Sequence, residues 1–342
     1  MPKLPLILMG APGSPYTRKM CAALRYRLIP YRTLQQHSPE HYARPRPKVE
    51  LLPTFYLEDE SGKEVAVTDS TPLIRRFETE FVERKIVPSD PVLALLNAML
   101  EDFGDEWLTK AMFHYRWAFQ ADIDKAAAIL PLWSKTNVSD EEIAPISKWI
   151  AERQISRLRY VGSNAITAPV IEAGYKRFLG IFDAHLQTSP FLFGARPASA
   201  DFALYGQLSA LACWDPTPMA ICVAQAPRVY AWTQKMDDLS GLDPNDNDWI
   251  GRDAVSPTLR ALLAEFGRVY APYLLANAAA VEAGTEKDVT TMIDGARWEQ
   301  RPFPYQAKCL RWLREEHTAL SANDRRDADA ILKDTGAATL FE

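Results

Sequence analysis

Over residues 1–85 apolar and polar positions change in short blocks, and beyond them the apolar positions recur at helical spacing. Leu4 to Met9 is a brief apolar run closed by Gly10, which reads as a strand over 4–9. A helix over 15–28 starts at Ser14-Pro15, because serine caps a helix and proline fits its first turn. Residues 29–34 read as a second strand, and the proline-rich, charged stretch 35–48 as a loop. Phe55–Leu57 and Val65–Val67 flank Glu58-Asp59-Glu60-Ser61-Gly62, the residues of a hairpin turn. A helix follows from Pro72 to Arg84. Strand, helix, strand, loop, strand, strand, helix predicts an α/β domain over 1–85.

After the linker Pro88–Pro91 the pattern is almost wholly helical, with elements over 92–119, 139–160, 168–187, 200–211 and 227–239. These predict an all-α domain spanning 92–240. Residues 241–342 form a C-terminal extension. It holds a helix over 257–280, a hairpin turning at Asp294-Gly295 and an amphipathic helix over Tyr305–Leu320.

Composition narrows the function. At 342 residues two domains are expected, and a net charge of −5 argues against general nucleic-acid binding. No apolar run reaches the length of a membrane span, and the N-terminal run is too soon interrupted to act as a signal peptide. The four cysteines lack metal-like spacing, so no metal centre is expected, and a reducing cytoplasm is the expected location. His37 and His41 stand four apart, but Pro39 spoils a helical metal pair. The basic residues Arg18, Lys19, Arg25, Arg27 and Arg32 read as a solvated face.

Three local motifs carry chemistry. Ser14-Pro15-Tyr16-Thr17 sets a hydroxyl at a helix N-terminus, where free N–H groups favour an anion. Leu52-Pro53 precedes the third strand, and Asp69-Ser70 stands at the start of the next helix. In this order and spacing they resemble the thioredoxin-like half of the glutathione transferases. The resemblance implies a glutathione transferase-like fold, with a thioredoxin-like domain followed by helices. It also implies that Ser14 polarises the glutathione sulfur, while Leu52 and a cis-Pro53 align the cysteinyl unit. Asp69 and Ser70 would anchor the γ-glutamyl end, and Lys48 is the nearest residue to meet the glycyl carboxylate. Ser14 as a plain N-cap is the alternative reading of that position. Cysteine is absent from position 14, which disfavours a disulfide reductase.

Phe193 to Leu204 resembles the family's capping-box segment, with Ala198 where a capping hydroxyl is usual and Asp201 in a structural role. Phe103, Trp107, Lys110 and His114 share one helix face. The resemblance makes Trp107 and His114, with Tyr16 from the other domain, candidates for the pocket of a small hydrophobic electrophile. Core packing is the competing reading. The implied activity is attack by glutathione, as co-substrate, on that electrophile in a homodimeric detoxification enzyme. A non-catalytic binding or scaffold protein of the same fold is the alternative.

Overall fold

The computed structural model describes residues 3–342. Strand β1 (Leu6–Met9) pairs in parallel with β2 (Tyr31–Leu34) and antiparallel with β3 (Thr54–Glu58). β3 turns back on β4 (Glu64–Val67), giving the order β2-β1-β3-β4. Side chains alternate across the sheet as the two-residue period requires. Leu6, Leu8, Phe55 and Leu57 join Met20 and Leu24 of α1 (Pro15–Tyr26) and Leu73 and Phe77 of α3 (Ser70–Glu80) in one core. Met9, Leu34 and Tyr56 form a separate small cluster.

The boundaries differ from the sequence expectation for local reasons. β1 begins at Leu6, after Pro5, which has no N–H to give a ladder. α1 stops at Tyr26, and Leu28 turns left-handed at φ 53°. α3 begins at Ser70 and ends at Glu80, where Phe81 is already extended. A one-turn helix, α2 (Pro39–Tyr42), interrupts the expected loop.

The run expected over 92–119 is α4 (Pro91–Asp102), a π-helical turn over Phe103–Leu108, and α5 (Thr109–Ala118). Gly104 lets the segment around Leu204 pack closely on this turn: a Cβ there would meet the Leu204 backbone at 3.1 Å. The unexpected α6 (Gln120–Ile129) precedes α7 (Asp140–Ile155) and α8 (Ala168–Leu186). α9 (Ser199–Leu211) lies against α1 so closely that a Cβ on Gly206 would come 2.7 Å from the Pro15 carbonyl. Asp201 accepts from the N–H groups of Ala198 and Leu192, so half of a capping box survives without the capping hydroxyl. α10 (Pro216–Gln225), also unexpected, and α11 (Pro227–Met236) complete this group.

The extension folds back onto both parts. The helix expected over 257–280 is α12 (Pro257–Glu265), a π-helical turn over Phe266–Tyr270, and α13 (Ala271–Glu282). The hairpin β5 (Val289–Ile293) and β6 (Ala296–Gln300) turns at Asp294-Gly295. It buries Trp298 beside Trp107, with ring centres 5.2 Å apart. α14 (Pro304–Ala319) and the unexpected α15 (Ala322–Leu332) lie on α4.

The basic residues are only in part a solvated face: Arg32 is exposed and Arg18 partly so, but the others are not. Lys19 is fully buried and bonds Glu101 at 2.8 Å and Asp105 at 2.5 Å. Arg27 is buried against Glu78, and Arg25 reaches Asp237. These cations join α1 to the helices around it, and a buried ion of this kind is tolerated only when paired.

Candidate functional site

Ser14 caps α1 by accepting from the Thr17 N–H at 3.2 Å. The same oxygen lies 3.5 Å from the Leu52 carbonyl, to which its proton points. The Leu52–Pro53 peptide is cis. Thr54 donates to the Leu51 carbonyl at 2.8 Å and closes this turn into β3. Asp69 then stands before α3 with φ 84° and ψ 109°, a backbone region that L residues rarely adopt. Such a conformation costs about 1–3 kcal/mol and tends to occur where function requires it.

Ser70 begins α3 and is nearly buried, its hydroxyl accepting from the Lys19 ammonium at 3.3 Å. Thr71 donates to Glu101 and Asp105, so the helix N-terminus sits on the same charge network. Ser199 donates to Glu101 at 2.6 Å from α9. Although burial raises the Glu101 carboxyl, Lys19 and Arg75 outweigh it and hold it low, at about 2.

A cavity of about 500 Å³ opens beside these groups. Tyr16, Leu52, Pro53, Asp69 and Ser70 form one side, and Asp102, Asp105, Glu106 and Lys110 another. The extension contributes Phe303, Tyr305, Gln306, Cys309 and Trp312, and Leu51, Tyr160 and Val161 also line it. Tyr305 donates to Asp69 at 2.9 Å, and Gln306 to Glu106 at 2.9 Å. Tyr16 donates to the Asp105 carbonyl at 2.7 Å, which pins α1 to the π-helical turn.

Burial dominates the protonation of this wall. It raises the carboxyls of Asp69 and Glu106 above their usual range, and pushes Asp102 to about 7. Asp105 is raised too: burial outweighs the Lys19 ammonium, which Glu101 shares. Lys110 is lowered to about 7 by burial, against the pull of Glu106. Its ammonium donates to Gln300 and lies 4.2 Å from the centre of the Tyr273 ring.

Of the residues singled out in the sequence, Tyr16, Leu52, Pro53, Asp69 and Ser70 border one cavity, with Ser14 adjoining at Leu52. Three do not reach it. Lys48 is exposed on the loop before the cavity's Val49 edge and does not line it. Trp107 is buried among Tyr270, Tyr273 and Trp298, so it packs the core instead of forming a pocket wall. His114 is buried as well, bonded to Ser163 at 2.8 Å and near Glu172, with burial lowering its pKa. The sequence reading missed Asp105, Glu106 and Lys110, which lie in the charged, aromatic segment 101–117, and Tyr305, which has no local signal. Among the described residues no three His, Cys, Asp or Glu side chains gather as a metal site, and no helix is long and apolar enough to cross a membrane.

Residues 8–85 match the family model for the glutathione S-transferase N-terminal domain, and residues 148–235 that for the C-terminal domain. No curated protein sequence matches the chain. Among solved structures it is similar to FzlA from C. crescentus, at 17% identity over 76% of this chain and 92% of that one, with TM-score 0.41. It is also similar to a glutathione transferase family member from Pseudomonas fluorescens Pf-5 solved with two glutathione bound, at 14% identity over 67% and 87% of the chains and TM-score 0.43. A third is the beta-etherase LigF from Sphingobium sp. strain SYK-6, at 16% identity over 75% and 98% and TM-score 0.44.

Proposed function

The chain belongs to the glutathione S-transferase superfamily, and from that premise we propose that it binds glutathione and activates the thiol for attack on a small hydrophobic electrophile. The observation carrying this reading is the Ser14 hydroxyl, fixed by Thr17 and facing the Leu52 carbonyl at the cis-proline turn. Its contact to that carbonyl is long, so the proton is easily redirected to a sulfur placed alongside. A free thiol ionises near about 8.5, and lowering that by roughly two units takes about 2.7 kcal/mol of preferential thiolate stabilisation. A hydroxyl donor at a helix N-terminus supplies stabilisation of that kind.

The family resemblance assigns the remaining roles, and the residues concerned border one cavity. The Leu52 backbone aligns the cysteinyl unit. The α3 N-terminus at Ser70 receives the γ-glutamyl carboxylate, and Asp69 its ammonium. Lys48 has no part in this account. The electrophile occupies the side of the cavity formed by Tyr16 and the extension. The protein contributes orientation and electrostatics, and glutathione the nucleophile. Homodimer assembly in a reducing cytoplasm belongs to the same reading, consistent with four free cysteines.

Titration of reduced glutathione into the protein by calorimetry tests this reading. Micromolar to low-millimolar binding that Asp69→Ala abolishes supports it; no binding to the wild type sinks it. A second reading is a binding or scaffold protein of this fold. It is favoured by Tyr305, whose hydroxyl already holds Asp69. Glutathione binding without an ultraviolet thiolate band would select it.

A further inference from the structure

The cavity opens through a rim that is both apolar and positively charged. Val49, Leu51, Tyr160 and Phe303 are exposed, yet all four line the same cavity. Large apolar side chains scattered singly over a surface are ordinary, but several around one opening mark a place where an apolar molecule covers them. A second cavity, also of about 500 Å³, adjoins the first across Tyr160 and Phe303, with Val281, Thr285 and Arg301 among its other walls.

Three arginines stand around this rim. Arg159 donates to the Tyr160 hydroxyl at 3.2 Å and lies 5.0 Å from the centre of that ring. Together with Arg157 and Arg301 it holds the Tyr160 phenol below its ordinary value, so all three cations act on one ring. Arg301 is exposed and makes no hydrogen bond or ion pair among the described residues. Glu286 is the one acid lining the outer cavity. The inner wall has the opposite character. Asp102, Asp105 and Glu106 border it, and its lysine, Lys110, is turned to Gln300 and the Tyr273 ring. An anion brought to that wall would lose its water and meet acceptors, whereas at the rim it meets free donors.

We propose that the second ligand is an elongated apolar carboxylic acid: its hydrocarbon or aromatic body enters past Leu51 and Phe303, and its carboxylate stays at the mouth on Arg301 and Arg159. The proposal rests on the two-ligand reading above and names the class of its electrophile. A guanidinium presents a planar fork of donors that matches a carboxylate, and Arg159 keeps donors to spare beside its bond to Tyr160. The arrangement also orients the ligand, with the charged end outward and the apolar end toward the thiol.

Phenylbutyrate, phenylbutanol and phenylbutylammonium share a ring and a carbon chain and differ in the end group. Each is titrated into the full chain near neutral pH at low ionic strength, with and without saturating glutathione. Tryptophan fluorescence reports binding, since Trp312 lines the cavity. The acid is expected to bind about three- to tenfold tighter than the alcohol, an advantage that shrinks as salt is added. The amine should bind no tighter than the alcohol. Arg301→Gln should remove most of the advantage and Arg159→Gln part of it. Arg326→Gln, at an exposed position lining neither cavity, should leave it intact. Equal affinities for acid and alcohol overturn the proposal, as does an amine that binds as tightly as the acid. An advantage unchanged in the folded Arg159→Gln/Arg301→Gln double variant, or lost equally in Arg326→Gln, also overturns it. So does its disappearance once glutathione is present, which would assign the arginines to glutathione's own carboxylates. The titrations without glutathione stand even if glutathione fails to bind, so the two failures are distinguishable.

Discussion

The Tyr305 hydroxyl donates to Asp69 Oδ1 at 2.9 Å, joining the first turn of α14 to the strained residue before α3, which lies 236 positions earlier. A γ-glutamyl ammonium and this hydroxyl would compete for the same carboxylate. Tyr305→Phe is therefore expected to tighten glutathione binding by roughly three- to tenfold, since the ligand no longer displaces a protein donor. Calorimetric titration reads this directly, and weaker binding would mean that the hydroxyl works with the ligand.

Ser14 has two separable duties. Its replacement by alanine removes a cap, which costs about 1 kcal/mol and is visible as a lower urea midpoint. Glutathione binding should persist in this variant while the thiolate absorbance of the complex disappears. Retention of that absorbance would move the activating role to another donor.

Lys19 lies between Glu101 and Asp105 with 0% exposure. Lys19→Met leaves Asp105 without a counter-ion, whereas Glu101 keeps Arg75 at 3.2 Å. Breaking a buried pair on one side costs about 3–5 kcal/mol, and urea unfolding should show a loss of that size. A loss below about 1 kcal/mol, as exposed pairs give, would show that the network is hydrated.

Stability should fall as pH rises through neutrality. Burial pushes the carboxyls of Asp102 and Asp201 to about 7, whereas an unfolded aspartate ionises near about 3.9. Between those values the folded chain holds protons that the unfolded chain has released, so raising pH favours unfolding, by up to about 4 kcal/mol for each group if the whole shift is realised. Above the folded value the loss is complete. Glu101 acts in the opposite sense, because its pKa is lowered, in the acid range below the ordinary carboxylate value, and Lys110 and His114, whose pKa burial lowers, offset part of the loss nearer neutrality. Urea midpoints should be higher near pH 5 than near pH 8. Asp102→Asn, which still accepts from Tyr270, should flatten part of that slope.

Local chemistry made much of the first domain, and one hairpin of the extension, legible in the sequence. Strand periodicity, the Ser14-Pro15 start, the hairpin residues 58–62 and the Asp294-Gly295 turn each depend on neighbours in the chain, so their elements form close to where they are expected. Boundaries shifted where one residue ruled, as at Pro5 and Leu28. The wide turn at 103–108 was not legible, because apolar periodicity reads one continuous helix there.

The sequence by itself determined the order of strands and main helices in the first 85 residues and the three motifs whose residues border one cavity. Only the tertiary structure decided which charged and aromatic residues reach it. Lys19 looked like a solvated cation because its partners, Glu101 and Asp105, are distant in sequence and arrive with α4 and the turn after it. Trp107 and His114 shared a face with Lys110, yet β6 and the segment around Ser163 covered them and left Lys110 at the wall. Tyr305 carries no signal of its own; the fold of the last hundred residues sets its hydroxyl on Asp69. Periodicity reports which side of an element is buried, but what meets that side is fixed by long-range packing.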